Sequence, residues 1–259
     1  MASSSPSPSL SPSLRPILSV IMPAYNSAAV LARAVTSVQN QSFADWELLI
    51  VDDASQDGTA KIAAQFAEKN KKIILIKQGI NQGAAAARNR AIAHARGRYI
   101  AFLDADDEWL PEKLDQQIPA MKESGAALCY SGFWRQKTDH DKHRVRVPTS
   151  VTRKTLLRGN VIGCLTAIYD RDQLGTVLMP DLPMRHDFAL WLDILARIDH
   201  AIGIDAPLAI YHQSPTSLTG NKWRAQLGTW RMFRRHLGLP HHLAAFYLVS
   251  HLIQRLKRG

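Results

Sequence analysis

Apolar and polar positions follow two rhythms along residues 17–131. Solid apolar runs of strand length stand at 17–22 (ILSVIM), 47–51 (ELLIV), 72–76 (KIILI), 98–103 (RYIAFL) and 126–131 (AALCYS). Runs without alternation predict strands buried on both faces of a sheet. Between them, apolar residues recur every three or four positions, which predicts helices. Val30, Leu31, Ala34, Val35 and Val38 mark the first, with Asn26 or Ser27 as its expected cap. A second runs from Ser55 and Asp57 towards Lys69, and an Ala-rich third covers 84–95 with Gly97 as its stop signal. Pro111 opens a fourth, expected to kink or end before Pro119. Repeated strand–helix alternation places the chain in the α/β class, as a Rossmann-like, doubly wound, mainly parallel sheet.

After residue 131 the rhythm breaks. Residues 133–150 are polar and charge-rich and read as a loop or lid. CLTAIY (164–169) and PLAIYH (207–212) are further strand candidates, and 187–198 is a helix whose apolar side carries Leu190, Trp191, Ile194, Leu195 and Ile198. Two helices finish the chain. Trp223, Leu227, Trp230 and Leu237 share one face beside Arg224, Arg231 and Arg235; Phe246, Val249, Ile253 and Leu256 share another before Arg255, Lys257 and Arg258. Such helices either lie on an anionic membrane or pack on the domain with their cations at a helix C-terminus.

Composition narrows the picture. The chain has 259 residues and a formal charge of +10, yet residues 1–130 hold 13 basic and 13 acidic side chains, so the whole excess falls in the second half. No carboxylate side chain follows Asp205, whereas eight Lys and Arg do. A neutral chemical unit joined to a cationic surface is the reading, rather than a basic nucleic-acid coat. Residues 1–16 hold seven Ser and four Pro without an apolar run, and read as a disordered leader rather than an export signal. The best apolar stretch, 242–253, falls short of the roughly 18 residues that span a bilayer. Cys129 and Cys164 are too few for a disulfide framework and fit a reducing, cytoplasmic compartment.

The chemistry concentrates at strand ends. The run 98–103 leads directly into Asp104, Asp106 and Asp107, at the carboxyl edge where open α/β sheets bind ligands. Crowded carboxylates repel, and a Mg²⁺ or Mn²⁺ ion shared with substrate phosphates relieves them. Capping the next helix needs one Asp, and three stand in four positions. Asp52 and Asp53 end the second run, with an Asx-turn or cap as the alternative for Asp52. Pro23, Ala24, Tyr25 and Asn26 end the first, and Tyr25 offers a flat face to a base. Asn81, Gln82 and Gly83 precede the Ala-rich helix, whose Arg88 can serve an anion or simply face solvent.

Four blocks taken in order, SVIMPAYN, LLIVDDASQDGT, NQGAAAARNRAIAHARGRYIAFLDADD and MRHDFALW, resemble the family 2 glycosyltransferases over residues 17–215. LLRGNVIGCLTAIYD is similar to the teichuronic-acid-biosynthesis, cell-surface polysaccharide type. The resemblance implies the GT-A fold: residues 17–131 as a nucleotide-binding half, 132–215 as an acceptor half, and 216–259 as a basic helical tail. It also implies inverting transfer from a nucleotide-diphosphate sugar, usually of UDP, to a glycan or lipid-linked acceptor, at most peripheral to the inner membrane face. By position, Pro23, Ala24, Tyr25, Asn26 and Asp53 would frame the nucleoside, with Arg88 near base or phosphates. Asp104 and Asp106 would form the Asp-x-Asp motif for Mg²⁺ or Mn²⁺, Asp106 the more direct ligand and Asp104 nearer the ribose. Asp187 matches the general base, with a helix cap as its plain alternative. One departure stands out: the residue before this base is usually Glu, and here it is His186. His212 is a candidate for the diphosphate or metal, and Trp191 for the acceptor site or the core.

Two other classes remain to be set against this reading. A nucleotidyltransferase shares the sheet and acidic site but usually carries a Gly-rich phosphate loop, which MPAYNSA is not. A non-catalytic module on membrane or nucleic acid would use only the cationic tail; the acidic cleft argues against nucleic acid as a partner.

Overall fold

The central apolar runs are strands because both of their faces are buried in the core. The computed structural model describes residues 15–138, 141–213 and 222–258. The first four runs are β1 (Leu18–Ala24), β2 (Trp46–Asp52), β3 (Ile73–Lys77) and β4 (Tyr99–Phe102). After a short β5 (Glu108–Trp109), the fifth run opens β6 (Leu128–Thr138). Helices α1 (Leu31–Gln39), α2 (Thr59–Lys69), α3 (Ala84–His94) and α4 (Lys113–Ser124) connect them. Val20, Met22, Leu48 and Ile50 bury one face of the sheet with Leu31, Val35, Leu114 and Ile118. Ile21, Leu49, Val51 and Ile100 bury the other with Ala87, Ala91 and Ile92 of α3.

Strands β3, β2, β1 and β4 are neighbours in that order and all parallel. The chain leaves β1 towards β2 and β3, then returns to β4 on its other side. The ends of β1 and β4 therefore flank a topological switch point, where a crevice forms.

Several local expectations change. Asn26 and Ser27 do not cap α1, which starts at Leu31 with no side-chain cap; both are used between loops instead. Gly97 does not end α3, whose cap residue is Ala95. A Cβ at Gly97 would fall 2.5 Å from the Ser19 nitrogen, so glycine is required there by close strand approach. Helix α4 continues through Pro119, because Leu114, Ile118 and Met121 all bury on the sheet and outweigh one missing N–H.

Residues 133–138 and 141–145 are strand rather than loop. Strand β6 runs on to Thr138 and folds back as β7 (Asp141–Val145). The polarity that suggested a lid is that of a ribbon with two wet faces, held by cross-strand pairs such as Trp134 with Arg144 and by the Lys142 ammonium 5.1 Å from the Trp134 ring centroid. There follow β8 (Ser150–Val151), α5 (Arg153–Arg158) and a 3₁₀ turn at Cys164–Thr166. Only the end of CLTAIY is a strand, β9 (Ile168–Asp170), and it lies antiparallel between β4 and β6. The sheet is therefore mixed, with a parallel block at one side. Beyond α6 (Arg171–Leu174), the expected helix at 187–198 is α7 (His186–Ile194). Strand β10 (Ala201–His212) pairs parallel with β6 and antiparallel with β5 and β8.

The tail comprises α8 (Lys222–Arg231), a π turn at Met232–His236 and α9 (His241–Arg258). Helix α9 packs on the domain by one side and leaves apolar residues exposed on the other. Ala244 is fully buried, and Tyr247 and His251 stack against Phe233. Leu243, Phe246, Val249, Leu252 and Ile253 are exposed on the other side. The face proposed for α8 divides: Trp230 and Leu237 pack on the core, while Trp223 and Leu227 are exposed. The leader up to residue 14 and the side chains of Arg255, Leu256, Lys257 and Arg258 lie outside the described residues. Among the described residues, no helix is long and apolar enough to cross a membrane.

Candidate active site

The loops after β1 and β2 are stitched together by their own polar side chains. The Asn26 amide N–H donates to Ser55 Oγ (3.0 Å), and Gln56 N–H donates to Asn26 Oδ1 (2.9 Å). Ser27 N–H donates to Thr59 Oγ1 (2.7 Å), and Ala28 N–H to Asp57 Oδ2 (3.0 Å). Asn26 and Ala54 both have positive φ, 47° and 59°, which these bonds hold in place. Tyr25 is left half exposed at the rim, with Pro23 and Ala24 below it in β1.

Asp53 lies under the rim rather than on it. It is buried, and its carboxylate accepts from Gln78 Nε2 (2.7 Å), Gln82 N–H (2.8 Å) and Gly83 N–H (2.8 Å). It thus shapes the 78–83 loop that leads into α3. Asp52 forms no cap. It is buried at the end of β2, and its Oδ1 has no hydrogen-bond partner.

Arg88 links the two halves of the site. Buried on α3, it donates through Nη2 to Asp104 Oδ1 and through Nη1 to His186 Nε2 (2.8 Å). Burial works against its charge, but Asp104 overcomes this and keeps the guanidinium firmly protonated. Since arginine only donates, His186 accepts at Nε2, and the ring proton sits on Nδ1, facing the Leu182 carbonyl at 3.4 Å. Burial and Arg88 both lower the His186 pKa, so the ring is neutral. Asp187 follows in the first turn of α7, with no capping bond to the helix, so the cap alternative does not describe it. Its charge is felt at Arg88, His186 and Cys164, which gather around it.

The acidic turn after β4 closes the other side. Asp106 is pushed above the ordinary carboxylate range by burial and by Asp104. Asp107, almost wholly buried, is pushed up further for the same reasons, and accepts from His212 N–H (3.0 Å). The His212 ring meets Glu108 Oε1 at 2.5 Å, so His212 does stand beside the acidic turn. Arg33, which the sequence did not single out, donates to the Asp106 carbonyl (2.6 Å) and pairs with Glu108 (3.1 Å). Trp191 belongs to the core: it is fully buried, edge-on to Phe102 at 5.6 Å.

Asp104 and Asp106 suit a divalent cation that is shared with a ligand. Among the described residues, no three His, Cys, Asp or Glu side chains could hold a metal ion on their own. Burial and then the neighbouring Asp104 disfavour the Asp106 carboxylate, and a cation with phosphate oxygens on its far side would favour it. A cavity of about 440 Å³ lies behind Arg33 and Glu108 against α1, and none of Tyr25, Asp53, Asp104 or Asp106 lines it.

The family model described as glycosyl transferase family 2 matches residues 19–173, more than half of the chain. The chain belongs to that family. This glycosyltransferase is 37% identical over 245 residues to a Bacillus subtilis (strain 168) protein named for teichuronic acid biosynthesis, the glycosyltransferase TuaG, covering 93% of this chain and 97% of the relative. It is 32% identical to the Escherichia coli UDP-Glc:alpha-D-GlcNAc-diphosphoundecaprenol beta-1,3-glucosyltransferase WfgD, covering 93% and 94%. Among solved structures it superposes on Staphylococcus aureus TarS residues 1–349 in complex with UDP-GlcNAc, with a TM-score of 0.72, 18% identity and coverage of 91% and 71%. It also superposes on the Pyrobaculum calidifontis mannosyltransferase PcManGT in complex with GDP-Man and Mn²⁺, with a TM-score of 0.67, 20% identity and coverage of 92% and 70%. The glycosyltransferase therefore has the GT-A fold, and the family expected from the four sequence blocks is the one found.

Proposed function

We propose that this glycosyltransferase moves a sugar from a nucleoside-diphosphate donor, a UDP-sugar, to a hydroxyl of a cell-surface glycan precursor on a lipid-linked acceptor, inverting the anomeric centre. The observation that carries this reading is the arrangement around Arg88. One side chain ties Asp104, at the end of β4, to His186, the residue before Asp187. A donor-side acidic motif and a second carboxylate are thus fixed relative to each other across one crevice.

Tyr25 at the rim would receive the base, with Asp53 holding the 78–83 loop in shape. Asp104 and Asp106 would hold Mg²⁺ or Mn²⁺ together with the diphosphate. When bound, that cation supplies charge neutralisation for the departing diphosphate. Asp187 takes the proton from the acceptor hydroxyl as its oxygen bonds to the anomeric carbon. The bond from that carbon to the diphosphate oxygen breaks with its electron pair leaving on the nucleotide. A single displacement inverts the centre. The neutral His186 gives Arg88 an acceptor without adding a second negative charge beside Asp187.

The exposed side of α9 would rest on the anionic inner membrane surface, where a lipid-linked acceptor is found. UDP with Mn²⁺ should raise the melting temperature, and UDP-sugars should be slowly hydrolysed. If no nucleotide or nucleotide sugar stabilises the protein, with or without Mn²⁺, the donor reading fails.

A further inference from the structure

The segment 179–186, which leads into Asp187, is gripped by two consecutive residues of α3. Asn89 Nδ2 donates to the Met179 carbonyl (2.9 Å), and Met179 N–H donates back to Asn89 Oδ1 (2.7 Å). At the other end, Arg88 Nη1 donates to His186 Nε2 (2.8 Å). Just before it Arg185 stands at φ 66°, a left-handed conformation that a non-glycine residue keeps only where its surroundings hold it. Arg185 Nε donates to Thr229 Oγ1 (3.2 Å) on α8, and its carbonyl accepts from Ala189 N–H (2.9 Å). Amides, hydroxyls and guanidinium groups make all of these bonds indifferent to pH near neutrality, except the one from Arg88 to His186.

That bond needs the Nε2 lone pair, because a guanidinium only donates. A proton on Nε2 removes the acceptor and sets an imidazolium against a guanidinium. The charges acting on the ring are Arg88 from α3, Asp104 from the turn after β4 and Asp187 from its own helix, and the Leu182 carbonyl lies 3.4 Å from Nδ1. Burial opposes protonation most and Arg88 adds to it, so the ring titrates below its ordinary value despite the two carboxylates. Cys164, on the 164–166 turn near Arg88 and Asp187, is kept a neutral thiol by burial.

We propose that His186 is a positioning residue: its neutral Nε2 holds Arg88, and through that bond it fixes Asp187 relative to Asp104 for the transfer. Protonation of the ring breaks the bond, so turnover falls in acid through His186 as well as through the base. This rests on the glycosyltransferase reading above, in which Asp187 is the base, and adds to it a second group on which the reaction's pH dependence turns.

The test follows the full chain, labelled with ¹⁵N in its histidine rings, by NMR from about pH 4.5 to about pH 8, a range that spans the ordinary histidine value. Hydrolysis of UDP-glucose and of UDP-N-acetylglucosamine with Mn²⁺ is measured over the same range. The His186 signals are those missing from His186→Gln. At neutral pH Nε2 should be the unprotonated ring nitrogen, with a titration below about 6.5 that Arg88→Met raises. Gln offers an uncharged acceptor that does not titrate. His186→Gln should therefore keep kcat within about threefold of wild type at neutral pH and carry its acid limb to lower pH. His186→Ala leaves Arg88 Nη1 without this acceptor and should lower kcat at least about tenfold, with little change in the donor KM. The proposal is overturned if Nε2 carries the ring proton at neutral pH, or if Arg88→Met leaves the ring's titration unchanged. It is also overturned if His186→Gln keeps the wild-type acid limb, or if Ala and Gln at this position give the same kcat. No hydrolysis by the wild-type protein at any pH counts against the glycosyltransferase reading instead, and the ring signals decide the bond independently.

Discussion

The donor edge and the tail of this glycosyltransferase handle charge in opposite ways. At the donor edge several charged groups pair within the fold: Arg88 with Asp104, Arg33 with Glu108, Asp53 with three donors from one loop. In the tail there are cations and no carboxylate side chains, and the exposed Arg231 and Arg235 form no ion pair among the described residues. Internal pairing fixes geometry, which a displacement reaction requires. Cations left without internal partners are available to something outside the chain. The net charge of +10 is therefore not a general property of the surface, because the whole excess falls after residue 130.

Removing the two key carboxylates should break this comparison most severely. Asp187→Asn is expected to lower kcat by about a thousandfold, as for loss of a general base, while UDP still stabilises the protein. With no capping bond from this side chain, the melting temperature should barely change. Asp106→Asn should lower kcat comparably and also abolish the Mn²⁺-dependent part of UDP stabilisation. Single-turnover rates and thermal shifts on the two variants separate the roles. An Asp187→Asn enzyme with near-normal turnover would remove Asp187 from the chemistry.

The donor half was legible because its strands are buried on both faces. Solid apolar runs ending in Asp52, Asp53 and Asp104 leave little choice of fold or of edge. The second half was not, for local reasons. A ribbon with two wet faces has no apolar alternation to read, so β6 beyond Gly132 and β7 looked like a loop. The roles of Arg33 and His186 depend on contacts 73 and 98 residues away in sequence, and no local pattern encodes those. Asn26 and Ser27 were legible as polar loop residues but not as stitches, since their partners, Ser55, Gln56 and Thr59, lie after the next strand.

Buried charge at the donor half gives a smaller, pH-dependent effect. Lys113 is fully buried, donating to Gln117 Oε1 and to the Thr166 carbonyl (3.2 Å), and burial brings its pKa down to about 7. The unfolded chain binds this proton up to the ordinary lysine range, whereas the native state releases it near neutrality. Stability should therefore rise with pH above about 7, by up to about 1.4 kcal/mol per pH unit, and flatten below. The clean window is pH 7 to 8, because Cys129, pushed up to about 11 by burial, and Cys164, also pushed up, act in the opposite sense once unfolded thiols ionise near about 8.5. Urea midpoints across that window should lose this slope in Lys113→Met; an unchanged slope would assign it to another group.

The stitch between the first two loops is worth less again. Asn26→Ala removes the bond from Gln56 N–H and leaves a non-glycine residue at φ 47°. About 1–2 kcal/mol of stability should go, with a rise in the KM for the donor and little change in kcat. Asn26→Gly restores the backbone freedom but not the bond, and should recover only part of the loss. Equal behaviour of the two variants would mean that the side-chain bond contributes nothing.

The smallest effect on stability should come from the exposed side of α9, and it is the most informative about the tail. Phe246 and Ile253 are 54% and 49% exposed. Changing both to Ser should shift stability by no more than about 0.5 kcal/mol each, as for surface positions generally. If that stripe rests on a membrane, the same double variant should lose at least about tenfold in affinity for phosphatidylglycerol vesicles, since each side chain would otherwise bury apolar area in lipid. Tyr247→Ser, on the opposite side against Phe233, should do the reverse, destabilising the fold while leaving the stripe chemically intact. UDP binding should survive both changes, because neither helix face reaches the strand-end crevice. Vesicle binding that tracks Tyr247 rather than Phe246 and Ile253 would show that α9 only completes the core, and the contrast between a self-paired donor edge and an outward-facing tail would then rest on the arginines alone.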